Sequence, residues 1–450
     1  MVLGPFKGGR DGKTVAIVAA RTPTTFEIRT DLFTVENRKM SDGVQHHQQR
    51  SADLDAQAVT NFREYLRIPS VHPDINYDDC VKFLKGQASG LGLPYKVHYT
   101  TPTKPVFIIT WEGTEPNAPS VMLNSHMDVV PVFEENWTHK PFGAEMDADG
   151  KIYARGAQDM KCVGIQYLEA IRRLKASGLR LKRTLHCSFV PDEEIGGSEG
   201  MFEFVKTDFF KSLNVGFALD EGMANDKDDF LLYYGERCIW HINFRCPGQP
   251  GHGSLLLENT AAEKVRVILD KIFDFREKEK QKLENNPEMT IGDVMTVNVT
   301  MLQGGVQSNV LPPEFSVMMD CRIPVTVDND KWFETLNQWC KEAGKDVVME
   351  KEQFDPFIPP TKLDESNKYW LAFKSATDKL GLKMTPRIFP GGTDSRYLRQ
   401  LGIPALGFSP INNTPVLLHD DDEYLGRDVF LKGIEIYCKL IPAVANVASA

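Results

Sequence analysis

The sequence predicts an α/β fold that is interrupted by a compact α+β insertion, and three patterns along the chain predict it. Over residues 54–219, short β-rich runs alternate with amphipathic helical segments, an order typical of a sheet covered by helices. After about Gly235 the order becomes strand, helix, two strands and helix, which indicates an α+β unit of the split type. The first pattern resumes near Asp364, so the insertion, residues 236–358, divides one larger domain into two parts.

The larger domain is expected to start with a helix from Leu54 to Leu66, because apolar residues recur there at helical spacing and Pro69 follows. A second helix begins near Asp159 and ends before Gly178, which suits a left-handed cap. Between and after these helices lie five β-rich runs, which we expect to form one sheet. The runs are Val106–Trp111, Val121–Leu123, Leu185–Val190, Val215–Leu219 and Ile403–Phe408.

The insertion is expected to be a small domain of its own, since strands and helices follow one another there at short intervals. A turn rich in proline and glycine, residues 247–251, separates its first strand from its first helix. Its predicted elements are a strand over Ile239–Cys246, a helix from about Thr260, strands over Thr296–Leu302 and Phe315–Ile323, and a helix over about Lys331–Ala343.

The length of the chain, 450 residues, favours two domains over a single core. We therefore assign residues 51–235 and 359–450 to the larger domain and residues 236–358 to the insertion. Residues 1–50 are predicted to be a poorly ordered N-terminal extension, because they mix both charge signs and end in a polar run. Their longest apolar stretch, Val15–Ala20, is shorter than the apolar part of a typical signal peptide.

Composition and charge exclude several classes of function. The chain is 42% hydrophobic and 25% charged, as in an ordinary globular protein. Its formal net charge of -10 argues against a nucleic-acid partner and against polybasic attachment to a membrane surface. No apolar run approaches the roughly 18 residues that a membrane helix needs.

The eight cysteines are scattered and include no Cys-x-x-Cys pair. In a chain of this size the pattern predicts reduced, mostly buried thiols and a cytoplasmic location. Disulfide bonds are the less favoured alternative, and a redox function lacks the paired motif it would need.

Acidic and histidine residues follow four of the five β-rich runs. Because the carboxyl ends of parallel strands meet at one edge of a sheet, we expect these side chains to lie close together. Asp159 joins them from the start of the second helix. The candidate residues are His126, Asp128, Asp159, Glu193, Glu194, Glu221 and His419.

This set has the composition of a metal site. Zinc binds imidazole nitrogen and carboxylate oxygen, and two ions about 3.5–4 Å apart need one bridging carboxylate. Each residue also has an ordinary interpretation: His126 as a strand-end histidine, Asp159 as a helix N-cap, and Glu193–Glu194 as a solvated acidic turn. Similarly, Asp128 and Glu221 could be loop acids, and His419 lies beside residues 420–423, an acidic run that could be a solvated loop. Their shared position at strand ends favours a metal site.

Six stretches of the chain resemble a known family, the dinuclear zinc exopeptidases, and in particular its aminoacylase branch. The resemblance spans about residues 52–445, and the first 46 or so residues have no counterpart in it. The stretches are Asn-Ser-His-Met-Asp-Val-Val-Pro-Val (124–132), Tyr-Ala-Arg-Gly-Ala-Gln-Asp-Met-Lys (153–161), Pro-Asp-Glu-Glu-Ile-Gly-Gly (191–197), Ala-Leu-Asp-Glu-Gly (218–222), Gly-Gly-Thr-Asp (391–394) and Pro-Val-Leu-Leu-His-Asp (415–420).

The resemblance implies zinc-dependent hydrolysis of N-acyl-L-amino acids to a carboxylate and a free L-amino acid. It implies two zinc ions per subunit, bridged by Asp159. His126 and Glu221 would complete the site of one ion, and Glu194 and His419 the site of the other. Glu193 would be the general base that deprotonates a metal-bridging water, and Asp128 would hold His126.

The resemblance also implies a mixed-sheet α/β/α catalytic domain whose ferredoxin-like insertion is a lid that forms a homodimer. His252 matches a lid histidine that stabilises the oxyanion in the site of the partner subunit. Asn309 and Arg322 match lid residues that hold the small-molecule substrate, and Gly392 with Thr393 matches a loop that contacts it. Relatives can carry alanines where this chain has glycines at 391–392, which leaves the side-chain preference open.

The sequence leaves alternatives open for two lid residues and for the substrate. Arg322 could form a salt bridge on a lid strand, and His252 could be a polar turn residue. A peptidase acting on dipeptides, or an enzyme for another acylated metabolite, would use the same metal site. A binding protein without activity would be expected to lack a ligand or the base, and none is missing here.

Overall fold

Helices and strands alternate through residues 51–448, the part of the chain that this computed structural model describes. The prediction for residues 1–50 lies outside the described residues. The helices are α1 (51–66), α2 (Asp78–Leu91), α3 (Lys161–Ala176), α4 (Met201–Phe204), α5 (Asp208–Ser212), α6 (Ala261–Glu284), α7 (Asn329–Ala343), α8 (Lys368–Lys379), α9 (Ser395–Gln400) and α10 (Arg427–Ala445). The strands are β1 (Tyr95–Thr101), β2 (Lys104–Trp111), β3 (Ser120–His126), β4 (Glu145–Met146), β5 (Lys151–Tyr153), β6 (Leu185–Val190), β7 (Val215–Asp220), β8 (Phe230–Glu236), β9 (Cys238–Pro247), β10 (Gly251–His252), β11 (Thr296–Gly304), β12 (Val310–Leu311), β13 (Glu314–Ile323), β14 (Val348–Phe354), β15 (Met384–Phe389), β16 (Ala405–Gly407) and β17 (Tyr424–Gly426).

An eight-stranded mixed sheet forms the centre of the larger domain, in the order β1-β2-β6-β3-β7-β16-β8-β15. Its central strands β6, β3, β7 and β16 run parallel to one another. The carboxyl ends of these four strands therefore lie at one edge of the sheet, as the sequence predicts.

Helices cover both faces of this sheet, which confirms the predicted α/β architecture. Side chains alternate along each strand, so Val121 and Leu123 of β3 join a core with α3 and α10. Met122, between them, joins a second core with α4, α5 and α9 on the opposite face. Strand β6 is buried along its whole length, as expected for a parallel strand with helices on both sides.

The helices that flank the sheet begin and end near the residues that the sequence predicts. Helix α3 ends at Ala176, and Gly178 follows with a left-handed φ of 78°. Asp159 does not cap this helix, since α3 begins at Lys161 and no side chain caps its first turn. The ordinary interpretation of Asp159 as an N-cap is therefore wrong, and its carboxylate is available for another role.

Residues 238–354 form a second, four-stranded sheet, which we call the antiparallel unit. Its strand order is β11-β13-β9-β14, every neighbouring pair is antiparallel, and α6 and α7 pack against it over a separate core. This order of elements and strands is that of a ferredoxin-like β-α-β-β-α-β unit. The unit lies within residues 236–358, although the domain boundaries themselves stay a prediction.

Strand β14 is the one strand of the four-stranded sheet that the sequence does not predict. It lies at an edge of the sheet, and most of its side chains are polar and at least partly exposed. An edge strand buries little apolar surface, so its hydrophobic pattern is weak.

Among residues 51–448, no helix is both long and apolar enough to cross a membrane.

Candidate metal centre

The carboxyl ends of β3 and β7 bring the first imidazole to two carboxylates. His126 is the last residue of β3, and Glu221 directly follows β7. The Nε2 atom of His126 lies 3.1 Å from Oδ1 of Asp159 and 3.6 Å from Oε2 of Glu221. Three candidate residues from separate parts of the sequence thus converge on one point.

The second imidazole approaches the same aspartate from its other oxygen. The Nε2 atom of His419 lies 3.2 Å from Oδ2 of Asp159 and 3.0 Å from Oε2 of Glu194. One carboxylate of Asp159 therefore faces two imidazoles, one through each oxygen. This is the arrangement that a carboxylate bridging two metal ions requires.

Glu193 and Glu194 lie on a single 3₁₀ turn, Glu193–Ile195, just past the end of β6. Glu193 is buried, with 8% of its surface exposed. Its carboxylate lies with the imidazole of His126 and the carboxylate of Glu221 in a group whose donor atoms are all within 4.8 Å of one another. His126, Asp159 and Glu194 form a second such group. The predicted base thus stands among the predicted ligands.

Burial and mutual repulsion make this cluster unfavourable for negative charge. Burial raises the pKa of Glu193 and of Glu221 well above the usual carboxyl value, and neighbouring carboxylates raise both further. Although burial also opposes the ionisation of Asp159, hydrogen bonds from the two imidazoles lower its pKa. Hydrogen bonds with Asp159 and Glu194 raise the pKa of His419 to about 10. The cluster therefore favours positive charge at its centre.

The donor set fits divalent cations of the zinc type. Two imidazoles and several carboxylates are the ligands that zinc binds in hydrolytic sites. The Oε1 atom of Glu194 is buried without a hydrogen-bond partner in the described chain, so it has an unused lone pair at the cluster. The residues present therefore suit a pair of bound metal ions.

Asp128 fixes both His126 and the turn that carries the base. Its backbone carbonyl lies 2.9 Å from Nδ1 of His126, which leaves Nε2 to face the carboxylates. Its carboxylate accepts hydrogen bonds from the backbone N–H groups of Glu193 (3.2 Å) and Glu194 (3.0 Å). The predicted contact of Asp128 with His126 is thus a main-chain hydrogen bond, with Oδ1 of the carboxylate 3.6 Å from the same nitrogen, and the carboxylate also holds the turn.

His72, which sequence patterns do not single out, is buried, and its Nε2 lies 2.9 Å from the carboxylate of Asp128. It follows α1 in a loop, and its only signal in the sequence is a histidine beside a proline. Helix α9 also braces the turn, without any signal in the sequence: Arg396 Nη2 and Tyr397 OH both donate to the carbonyl of Gly196, at 2.8 and 2.5 Å. These contacts hold the carboxyl end of the turn, whereas Asp128 holds its amino end.

The predicted residues 392 and 393 lie beside this brace. An added Cβ at Gly392 would stand 2.2 Å from Nη1 of Arg396, so a larger residue would displace the guanidinium. The backbone N–H of Thr393 donates to Glu236, which also pairs with Arg399 at 2.6 Å. The amide of Thr393 is therefore already used inside the protein.

The three predicted residues of the antiparallel unit do not join the cluster. His252 is exposed on β10, and its Nδ1 lies 2.7 Å from the hydroxyl of Ser254. Asn309 lies next to it, since its carbonyl accepts the N–H of Gly253 at 2.7 Å. Arg322 binds both oxygens of Asp320, at 2.9 and 3.0 Å. No hydrogen bond or ion pair within residues 51–448 connects any of the three to the predicted metal ligands.

Comparison with known proteins places this geometry in a family. Residues 122–443 match peptidase family M20/M25/M40. The chain belongs to this family. The match covers more than half of the chain and includes every residue of the cluster.

Within the M20 family, named relatives match almost end to end. Aminoacylase-1 of Mus musculus is 50% identical over 392 residues, which cover 87% of this chain and 96% of that protein. Aminoacylase-1 of Dictyostelium discoideum is 44% identical over 404 residues, which cover 86% of this chain and 98% of that protein. A solved structure, a dinuclear metal binding peptidase of the M20 family from Bacillus subtilis, has a TM-score of 0.64 at 15% identity, with 88% of this chain and 100% of that chain covered. The last likeness confirms the fold, and the first two confirm the predicted aminoacylase branch.

Proposed function

We propose that this M20 chain hydrolyses N-acyl-L-amino acids and releases a carboxylate and a free L-amino acid. The observation that carries the proposal is the aspartate that faces two imidazoles, with a buried glutamate beside it. The aminoacylase relatives support this substrate class, because their similarity extends over nearly their whole length.

Two zinc ions would be held by five residues. His126 and Glu221 would complete one site, Glu194 and His419 the other, and Asp159 would belong to both. When bound, the ions would polarise the substrate amide and make water a better nucleophile at neutral pH. The partnerless oxygen of Glu194 and the unfavourable crowding of carboxylates support this assignment.

Glu193 would move the proton. Its carboxylate takes a proton from the attacking water and then delivers it to the nitrogen of the leaving amino acid, which must depart as an amine. Burial raises its pKa, so the carboxylate is a stronger base than a solvated one. Asp128 and α9 hold its turn at both ends and keep the acceptor oxygen in place.

The antiparallel unit and the loop that contains residues 392 and 393 would supply substrate contacts. We assign oxyanion stabilisation to His252 and substrate binding to Asn309, Arg322, Gly392 and Thr393. The planar guanidinium of Arg322 suits a carboxylate, as its two bonds to Asp320 illustrate, and the substrate's α-carboxylate would replace that partner.

We further propose a homodimer formed through the antiparallel unit. His252 makes no contact with the ligands of its own chain among the described residues, which suits service in a partner's site. Exposed apolar side chains gather on the same unit near β11 and β12, and an interface between copies would bury them. They include Leu255, Leu256, Met301, Leu302, Val306 and Val310.

Cytoplasmic location belongs to the same proposal. All eight cysteines fall within the described residues, and each is a free thiol there. Free thiols persist in a reducing compartment.

A substrate panel on metal-free and metal-restored protein tests the proposal. We expect hydrolysis of N-acetyl-methionine, its loss after chelation, its return with zinc, and elemental analysis showing two metal ions per chain. Faster cleavage of dipeptides would instead assign a peptidase. Failure to hydrolyse any N-acyl amino acid or dipeptide in the presence of zinc would favour a binding protein without activity. Cobalt or manganese in the native protein would overturn the assignment of zinc as the bound metal.

A further inference from the structure

Two of the predicted metal ligands lie on segments that are far apart in sequence. Asp159 ends the segment 155–159, and His419 lies in the segment 415–424. The segments meet where β5 and β17 pair, and the N–H of Ala154 donates to the carbonyl of Glu423 at 3.0 Å. Beyond this short pairing, side chains make the connection.

Glu423 binds the first segment with both carboxylate oxygens. Oε2 accepts hydrogen bonds from Nη1 of Arg155 at 2.9 Å and from the N–H of Gly156 at 3.1 Å. Oε1 accepts from the N–H of Gln158 at 2.6 Å and from the N–H of Asp159 at 3.3 Å. The side chain is completely buried, so the sequence-based interpretation of residues 420–423 as a solvated acidic run is wrong at this position.

Gln158 binds the second segment in return, and it uses every polar group of its amide. Nε2 donates to the carbonyls of Pro415 at 3.0 Å and Tyr424 at 2.9 Å, and Oε1 accepts the N–H of Leu417 at 3.0 Å. Nη1 of Arg155 adds a bond to the carbonyl of Asp420 at 2.9 Å. These contacts lie on both sides of His419.

We propose that Arg155, Gln158 and Glu423 form a clamp that positions Asp159 and His419 for the metal ion assigned to Glu194 and His419. The clamp rests on the ligand assignment of the proposed function. His419 needs such support, because its side chain is 49% exposed and its backbone has a left-handed φ of 64°. Without the clamp, the imidazole would lose the fixed approach to Asp159, and the ion would be held less tightly.

The clean variant is Gln158→Met, which removes all three side-chain bonds without changing the charge near the ions. Gln166→Met is its matched control. Gln166 is buried on α3, and its Nε2 donates to the carbonyl of Phe430 on α10 at 3.0 Å. Like Gln158, it connects a residue of the first part of the chain to the C-terminal part, but it does not contact the segments 155–159 and 415–424 that carry Asp159 and His419.

The test measures dissociation constants of zinc by competition with a chromophoric chelator on the full chain. For Gln158→Met we expect the ion assigned to Glu194 and His419 to dissociate about 10- to 100-fold more readily, the usual effect of losing such support. For Gln166→Met we expect the wild-type constants. Excess zinc should restore turnover in Gln158→Met, because Glu193 and its turn are untouched.

Unchanged zinc affinity in Gln158→Met, or an equal loss in Gln166→Met, would overturn the clamp. If Gln158→Met does not fold, Arg155→Lys replaces it. This variant keeps the positive charge but cannot hold Asp420 and Glu423 together, and it should weaken the same ion. The readout is independent of the substrate: wild type that binds two ions but cleaves no N-acyl amino acid would refute the proposed activity and leave the clamp standing.

Discussion

Predicted site residues lie together at the edge of the central sheet, whereas those of the antiparallel unit do not reach that cluster. At the sheet edge, side chains from β3, β7 and the segments around Asp159 and His419 already lie about 3 Å apart. In the antiparallel unit, His252 and Arg322 each contact a side chain two residues away in the sequence. Parallel strands assemble a site simply by ending together, whereas residues on a separate sheet need a movement or a second chain to reach it.

The largest expected effect comes from the base at the sheet edge. Glu193→Gln keeps the shape of the side chain but cannot accept a proton, so turnover should fall about 10²- to 10⁴-fold with zinc content unchanged. Glu199→Gln, an exposed glutamate six residues further along, is the control and should behave as wild type. An active Glu193→Gln enzyme would contradict the assignment of the base.

The next prediction tests whether His252 of the antiparallel unit acts at the sheet edge of another chain. His252→Ala should lower turnover about 10²- to 10³-fold if the imidazole stabilises an oxyanion. When this chain is mixed with Glu193→Gln chains, roughly half of the dimers are mixed, and one site in each has both groups. Activity should therefore return to about a quarter of the wild-type value. No recovery in dimers shown to exchange would mean that His252 acts in its own chain or not at all.

A smaller effect is expected at Arg322. Arg322→Lys keeps the charge but loses the two-pronged geometry, so KM should rise about ten-fold with little change in kcat. Arg245→Lys is the matched control, because Arg245 also binds both oxygens of a glutamate, Glu314, on the same sheet. A fall in kcat at unchanged KM would contradict a role in binding the substrate carboxylate.

The last effect concerns stability and leaves activity unchanged, because His186 lies at the end of β6 remote from the site. Burial lowers the pKa of His186 from 6.5 to about 4, and its Nδ1 lies 3.0 Å from the hydroxyl of Thr110. The unfolded chain therefore binds a proton that the folded chain does not, and stability is lost as the pH falls from about 6.5 to about 4. The loss should reach at most about 3 kcal/mol.

His186→Gln should remove this part of the acid sensitivity. Urea unfolding gives the free energy of unfolding of wild type and variant at about pH 7 and about pH 4.5, and the loss between the two pH values should be smaller in the variant. His98→Gln, at a partly exposed position of β1, should change this pH-dependent loss of stability less than His186→Gln does. An identical pH dependence in His186→Gln and wild type would exclude His186 as the source.

The sequence predicted the parts of the fold that depend on local pattern. Strand β6 has the predicted bounds, Leu185–Val190, because a strand buried on both faces is a continuous apolar run. The prediction that His126 and Glu221 lie at one edge of the sheet is correct, because the carboxyl ends of parallel strands lie at the same edge.

Other parts depend on contacts that no local pattern reports. Glu423 belongs to an acidic run by sequence, yet partners about 265 residues away bury it. His72 gains its role only from the approach of Asp128, and β14 has the weak pattern of an edge strand. Whether Arg322 meets Asp320 or a substrate is a choice between partners, and its position in the sequence leaves both open.

The antiparallel unit also has a consequence for the order in which the protein matures. It places residues 238–354 between Asp159 and His419, while the sheet edge needs both. During synthesis, a nascent chain that has emerged only through β14 can already fold several strands of the central sheet but has one imidazole of the pair. If two ions bind as proposed, tight loading of the second must wait for the segment 415–424, and metal content would then distinguish finished molecules from truncated or partly folded ones.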